Sequence, residues 1–139
     1  MIHIVLPYPP SSNNLYATVG HRRVLSSAGR AYKKTVAECC LIELVGVPLP
    51  LTTRLALILW ISPPTRRHYD MDGKVKVVQD ALQDAGVFVN DEQIDELHVY
   101  RCGIHPGGMA EVILLEYAIE YSVYPHGEGC EGLYHQGAL

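Results

Sequence analysis

Asp70-Met71-Asp72 is the stretch of this chain best equipped for chemistry. Carboxylates two residues apart point to the same side of an extended backbone. Two like charges held together repel, and a divalent cation between them relieves the repulsion. Magnesium suits such hard oxygen donors and keeps waters that phosphate oxygens can replace. The plainer alternative is that Asp72 caps a helix and Asp70 is merely solvated. Lys76 follows Asp72 by four residues, which puts it one turn along the same helix face. An ammonium there can touch a phosphate and stabilise the charge that builds up when a phosphodiester is attacked. Its plainer role is an ion pair with Asp80, also four residues on. Lys74 falls on a different face and is the poorer candidate. Asp91 adds a third carboxylate on the loop that returns after the helix. Glu92, Asp95 and Glu96 surround it, as spare ligands or as an ordinary acidic surface. Arg66, Arg67 and His68 immediately precede Asp70. Such a loop either tracks a phosphate backbone or simply neutralises the aspartates.

These residues need elements to hold them. Residues 2–6 form an apolar strand that stops at Pro7-Tyr8-Pro9-Pro10, which cannot continue a ladder. Residues 11–26 read as a loop, rich in Ser, Asn and Gly, that contains His21-Arg22-Arg23. Ser26 or Ser27 then caps a helix over 28–45, with Tyr32, Val36, Cys39 or Cys40 and Leu44 on its apolar face. Arg30, Lys33 and Lys34 decorate its first turns, where the helix dipole disfavours cations, so the cluster has either no purpose or an anionic partner. Residues 52–62 are strongly β-like and almost continuously apolar at the centre, as a strand covered on both faces should be. A second helix spans 73–85, with Val75, Val78, Leu82 and Ala85 as its buried stripe and Gly86 as its stop. Val87-Phe88-Val89 delivers Asn90-Asp91. Two strands, 94–102 and 110–120, are joined by the turn His105-Pro106-Gly107-Gly108. The order is strand, helix, strand, helix, strand, strand. The last 18 residues, 122–139, have little periodicity and read as a flexible tail.

The totals set the frame. A chain of 139 residues is one domain by length. No apolar run approaches the ~18 residues of a membrane span. The start lacks a signal-peptide pattern, so the cytoplasm is expected. Four cysteines without a C-x-x-C pair argue against zinc and for reduced thiols. Net charge is -4, but it is unevenly spread. Residues 1–69 carry eight Lys and Arg against two Glu, a balance of +6, while 70–139 carry three against thirteen acids, a balance of -10. A basic half can hold phosphates while an acidic half holds metal ions. Chance asymmetry of solvated faces is the alternative.

Taken together, the chain resembles the RusA-type Holliday junction resolvases, small endonucleases common in phages and prophages. Four stretches carry the likeness, in order, over about residues 1–120. Leu6-Pro7-Tyr8-Pro9-Pro10-Ser11-Ser12-Asn13-Asn14-Leu15-Tyr16 is similar to the family's opening L-P-x-P-P-S-x-N loop. Residues 26–36, with Gly29 and Tyr32, are similar to its first helix. Asp70-Met71-Asp72 with Lys76 resembles its catalytic core, and Asn90-Asp91-Glu92-Gln93-Ile94 its D-D-x-Q-[VI] segment. The resemblance implies a two-layer α+β domain over 1–121, with helices packed on a mixed or antiparallel sheet. It implies a magnesium-dependent nuclease, manganese being an alternative ion, in which Asp70, Asp72 and Asp91 hold metal and Lys76 assists. It further implies a homodimer that resolves branched DNA, the Holliday junction, during recombination and repair. Asn14, Arg22, Arg23, Lys33, Arg66, Arg67 and Lys76 are the expected DNA contacts. One departure is visible: Gly73 stands where the family usually has Asn. That substitution motivates a rival reading, a junction-binding relative whose chemistry has weakened. A metal-dependent phosphatase on small esters is a third, which the basic loop and helix disfavour.

Overall fold

The computed structural model describes residues 1–117. The expected tail over 122–139, and residues 118–120 of the last expected strand, lie outside the described residues. Strand β1 (Ile2–Leu6) alternates buried and exposed, one face on the core. The segment expected as a loop over 11–26 is instead structured. It forms a single-turn helix, α1 (Ser12–Leu15), and a hairpin of β2 (Tyr16–Val19) and β3 (Arg22–Leu25). Gly20 and His21 make the two-residue turn, and Gly20 at φ +63° supplies the positive dihedral that tight hairpins need.

Helix α2 (Ser27–Glu43) is capped by Ser26, whose hydroxyl accepts from the Gly29 N–H at 3.0 Å. It buries Gly29, Tyr32, Val36 and Cys40. A Cβ at Gly29 would stand 2.6 Å from the Leu15 carbonyl oxygen, so only glycine lets α2 pass this close to α1. Strand β4 (Arg54–Ser62) follows, then α3 (Met71–Asp84), which starts two residues earlier than its sequence pattern indicates. A 3-10 turn, Asp91–Gln93, leads into β5 (Ile94–Arg101), and β6 (Met109–Tyr117) ends the described chain.

The sheet order is β1-β6-β4-β5. β6 is antiparallel to both neighbours, while β4 and β5 are parallel. This is the mixed sheet of a two-layer α+β domain, as expected. Leu55, Leu57, Leu59 and Ile61 of β4 join Val36 of α2 and Val78 and Leu82 of α3 in one core. On the opposite face of β4, Ala56 and Ile58 are buried too, beside Trp60 stacked on Tyr100. A parallel pair cannot be joined by a tight turn and needs a crossover. Here the crossover is the 63–70 loop, α3 and the Asp91 turn, so one topological necessity carries every residue of the expected site.

Candidate active site

Asp70 occupies the N-cap position of α3 but makes no side-chain cap bond, and Asp72 sits in the first turn. Both side chains are exposed. Among the described residues neither has a hydrogen-bond or ion-pair partner. The helix N-terminus favours negative charge there. Two carboxylates at one helix N-terminus, with no partner among the described residues, remain open to a cation.

Lys76 lies one turn further along the exposed stripe. Its Nζ is 3.0 Å from Asp80 Oδ1 and 3.0 Å from Asp91 Oδ2. The ordinary ion pair and the link to the third aspartate thus exist together. Hydrogen bonds that Lys76 donates to Asp80 and then to Asp91 raise its pKa above the usual value, so the group stays a cation. Asp91 is fixed from behind: its N–H donates to Gln83 Oε1 at 3.1 Å. The surrounding acids are committed elsewhere. Arg54 holds Glu92 at 3.1 Å and binds Asp95 through Nε at 2.9 Å, and Glu96 pairs with His98 at 3.2 Å. Glu92 and Asp95 are thus engaged by Arg54, and Glu96 by the His98 ring, rather than waiting as spare ligands.

Among the described residues, no three His, Cys, Asp or Glu side chains gather closely enough to cage an ion. The α3 start offers two carboxylates, and Asp91 is joined to Lys76, one turn on from Asp72. This donor chemistry fits magnesium, which commonly takes one or two protein carboxylates and completes its shell with water and substrate phosphate. It does not resemble a closed all-protein cage.

The expected DNA contacts divide into two groups. Arg66 and Arg67 are exposed on the loop before Asp70. Arg22 and Arg23 are exposed on β3, with the Arg23 guanidinium 4.6 Å over the Tyr16 ring. Asn14 is exposed in α1, and its backbone carbonyl accepts from the Ser26 hydroxyl just after that hairpin. Lys33 differs: it pairs with Asp84 and so ties α2 to α3.

Two residues escaped the sequence reading. Lys74 is buried, donates to the Pro9 carbonyl at 2.7 Å, and sits 4.3 Å over the Tyr8 ring and 5.8 Å from that of Tyr69. Burial lowers its pKa. Tyr8 and Tyr69 meet edge to face at 6.0 Å, and Arg101 lies 4.3 Å over Tyr69 from β5. The proline loop after β1 is thereby fastened to the start of α3. Its register with Val78 and Ala81, both core residues, was the available signal. Gln93 is the other. Its Oε1 accepts from the Val89 and Asn90 N–H groups at 2.9 and 2.8 Å, and its Nε2 donates to the Leu51 and Thr53 carbonyls at 3.0 and 2.9 Å. This buried amide sets the position of the Asp91 turn against the chain entering β4.

Residues 7–112 match the family described as Endodeoxyribonuclease RusA. The chain is 32% identical over 116 residues to the crossover junction endodeoxyribonuclease of Enterobacteria phage 82, covering 82% of this chain and 93% of that protein. It is 31% identical over 115 residues to the protein of that name from Escherichia coli, covering 81% and 92%. It is 32% identical over 112 residues to that of Enterobacteria phage HK97, covering 81% and 92%. Matched over this much of its length, the chain belongs to the RusA family of endodeoxyribonucleases.

Proposed function

We propose that this protein is a metal-dependent endonuclease that resolves four-way DNA junctions by hydrolysing phosphodiester bonds. The observation that carries the reading is the start of α3, where Asp70 at the N-cap and Asp72 have no partner among the described residues and Asp72 lies one turn from a Lys76–Asp91 bridge. Asp70 and Asp72, with Asp91, are the residues that would hold magnesium or manganese. Such an ion supplies neutralisation of the charge that develops on the phosphate. Lys76, held in place by Asp80 and Asp91, presents a fixed second cation to the same phosphate. Arg66 and Arg67 lie just ahead of the carboxylates and suit the flanking backbone. A homodimer would offer two such sites to two opposed strands, in keeping with the paired cuts that resolution in recombination and repair requires. Work on cellular DNA fits the cytoplasm, and among the described residues no helix is long and apolar enough to cross a membrane.

The test incubates the purified protein with a synthetic four-way junction and magnesium or manganese, beside Asp72→Asn. Paired nicks from the native chain and none from the variant are expected. Nicks that persist in the variant would remove Asp72 from the site, and no cutting by either would remove the activity. Gly73 keeps a second reading in view, a junction binder with weakened chemistry. A Cβ there would stand 2.9 Å from Ser12 Oγ, so the family's usual Asn would require the Ser12 side chain to shift. Binding without cutting in both metals would favour that reading.

A further inference from the structure

A cleft of about 460 Å³ opens beside Asp70, between α1 and the 63–70 loop. Its walls are chemically mixed in a definite way. Tyr8 and Tyr69 supply aromatic surface, Asn13 and Asn14 supply amide groups, and Arg67 supplies a cation. Lys74 closes the floor, its ammonium already engaged by the Pro9 carbonyl. A bare phosphate needs neither this volume nor aromatic walls. A stacked duplex is far too wide to enter. The volume falls in the ~300–1,000 Å³ range of pockets that enclose small organic ligands. The ligand that uses a π surface, a donor-and-acceptor edge and a nearby cation at once is a single nucleotide out of its stack. Each Asn amide offers both a donor and an acceptor, as a base edge demands. Extruding a base costs a few kcal/mol, and least where pairing is already interrupted. A branch point is such a place.

We propose that this cleft receives one extrahelical deoxynucleotide of the DNA strand next to the scissile phosphate. Its base lies against Tyr8 and Tyr69, its edge meets Asn13 and Asn14, and its phosphate faces Arg67. Asp70 forms part of the same wall, so seating the nucleotide brings the adjoining backbone to the carboxylates. The inference rests on the junction reading above, and names what that site recognises.

The test uses the full chain and four-way junctions that each lack one base, at successive positions on either side of the crossover. Affinity is read by gel retardation in EDTA, so cleavage plays no part. Removal of the base at one position should weaken binding by about 5- to 150-fold, the span of base–aromatic stacking, with little effect elsewhere. Asn13→Ala with Asn14→Ala should weaken binding to the intact junction and be much less sensitive to base loss at that position. Both residues are exposed, and an unchanged melting temperature confirms the fold. Tight binding that no base removal weakens overturns the cleft assignment alone. So do base-loss and protein effects that multiply independently. No junction binding at all overturns the parent reading.

Discussion

Lys76 shares one positive charge between two carboxylates, Asp80 and Asp91. Both raise its pKa, so near neutral pH it cannot take up a proton and acts as a fixed cation. Lys76→Ala should therefore lower the single-turnover cleavage rate by about 10²–10³-fold, the usual effect of losing one preorganised charge stabiliser. Junction affinity should change little, and Lys76→Arg should recover part of the rate. An equal fall in rate and affinity would mean a binding role instead. The Lys76–Asp80 pair was readable from helical register, and the D-x-D carboxylates from their residue types, although Asp72 lies in the first turn of α3 and not on extended backbone. The Lys76–Asp91 bridge was not, since it joins residues across a loop. Lys74 does lie off the Lys76 face, as its spacing indicates, but its burial was not legible, because it depends on the proline loop folding over it, a contact 65 residues away in sequence. Cys40 shows burial acting on a different group. Burial first, then Cys39 and Glu43, pushes its thiol up to about 11 from an ordinary value of 9.0. The neutral thiol is favoured in the fold, so its stabilising contribution is present below pH 9 and lost as pH rises through about 11. Alkylation at pH 8 should label half-buried Cys102 well before Cys40, with Cys40 labelling climbing as the pH approaches its own value. Equal rates at pH 8, read by mass spectrometry, would contradict that burial.

At the scale of elements, legibility followed burial. β4 announces itself because its apolar run is buried on both faces, and α3 because Val75, Val78 and Leu82 recur at helical spacing. The β2–β3 hairpin does not, since every residue of β2 is exposed and no alternation exists to read. What fixes it is non-local: the Ser26 N–H bonds the Leu15 carbonyl at 2.9 Å and Leu15 is buried. The Asp91 turn is the inverse case. Its sequence was recognisable as a motif, while the function of Gln93 within it was hidden, because its four partners come from two separate stretches. Gln93→Ala leaves those backbone groups without their amide in a buried place. The cost should be on the order of 3 kcal/mol. That corresponds to a fall in Tm of roughly 10 °C for a domain of this size. Cleavage should weaken as well, because Asp91 loses its anchor. Thermal melting of the variant checks the first part, and a shift of only a degree or two would show that water replaces the amide easily.

Across the whole molecule, the basic first half and acidic second half are partly consumed by each other. Arg54 holds Glu92 and Asp95, and Lys33 pairs with Asp84. These cations brace the sheet and the helix layer instead of facing outward. Arg22, Arg23, Arg66 and Arg67 are exposed on the hairpin and on the loop before Asp70. The +6 of the sequence therefore overstates what is available to phosphates, and composition alone could not tell the two groups apart. Salt dependence can. Each phosphate contact contributes about 0.9 to the slope of log affinity against log salt on duplex DNA. Arg66→Ala and Arg67→Ala should each reduce that slope by about 1 and weaken junction binding. Lys33→Ala should leave the slope unchanged and lower the folding stability by less than ~1 kcal/mol, since a partly exposed ion pair is worth little more. Measuring the slope for all three variants separates cations that meet DNA from cations that hold the protein together. An equal drop for Lys33→Ala would show that its bond to Asp84 yields to phosphate, and would place the outer face of α2 on the DNA.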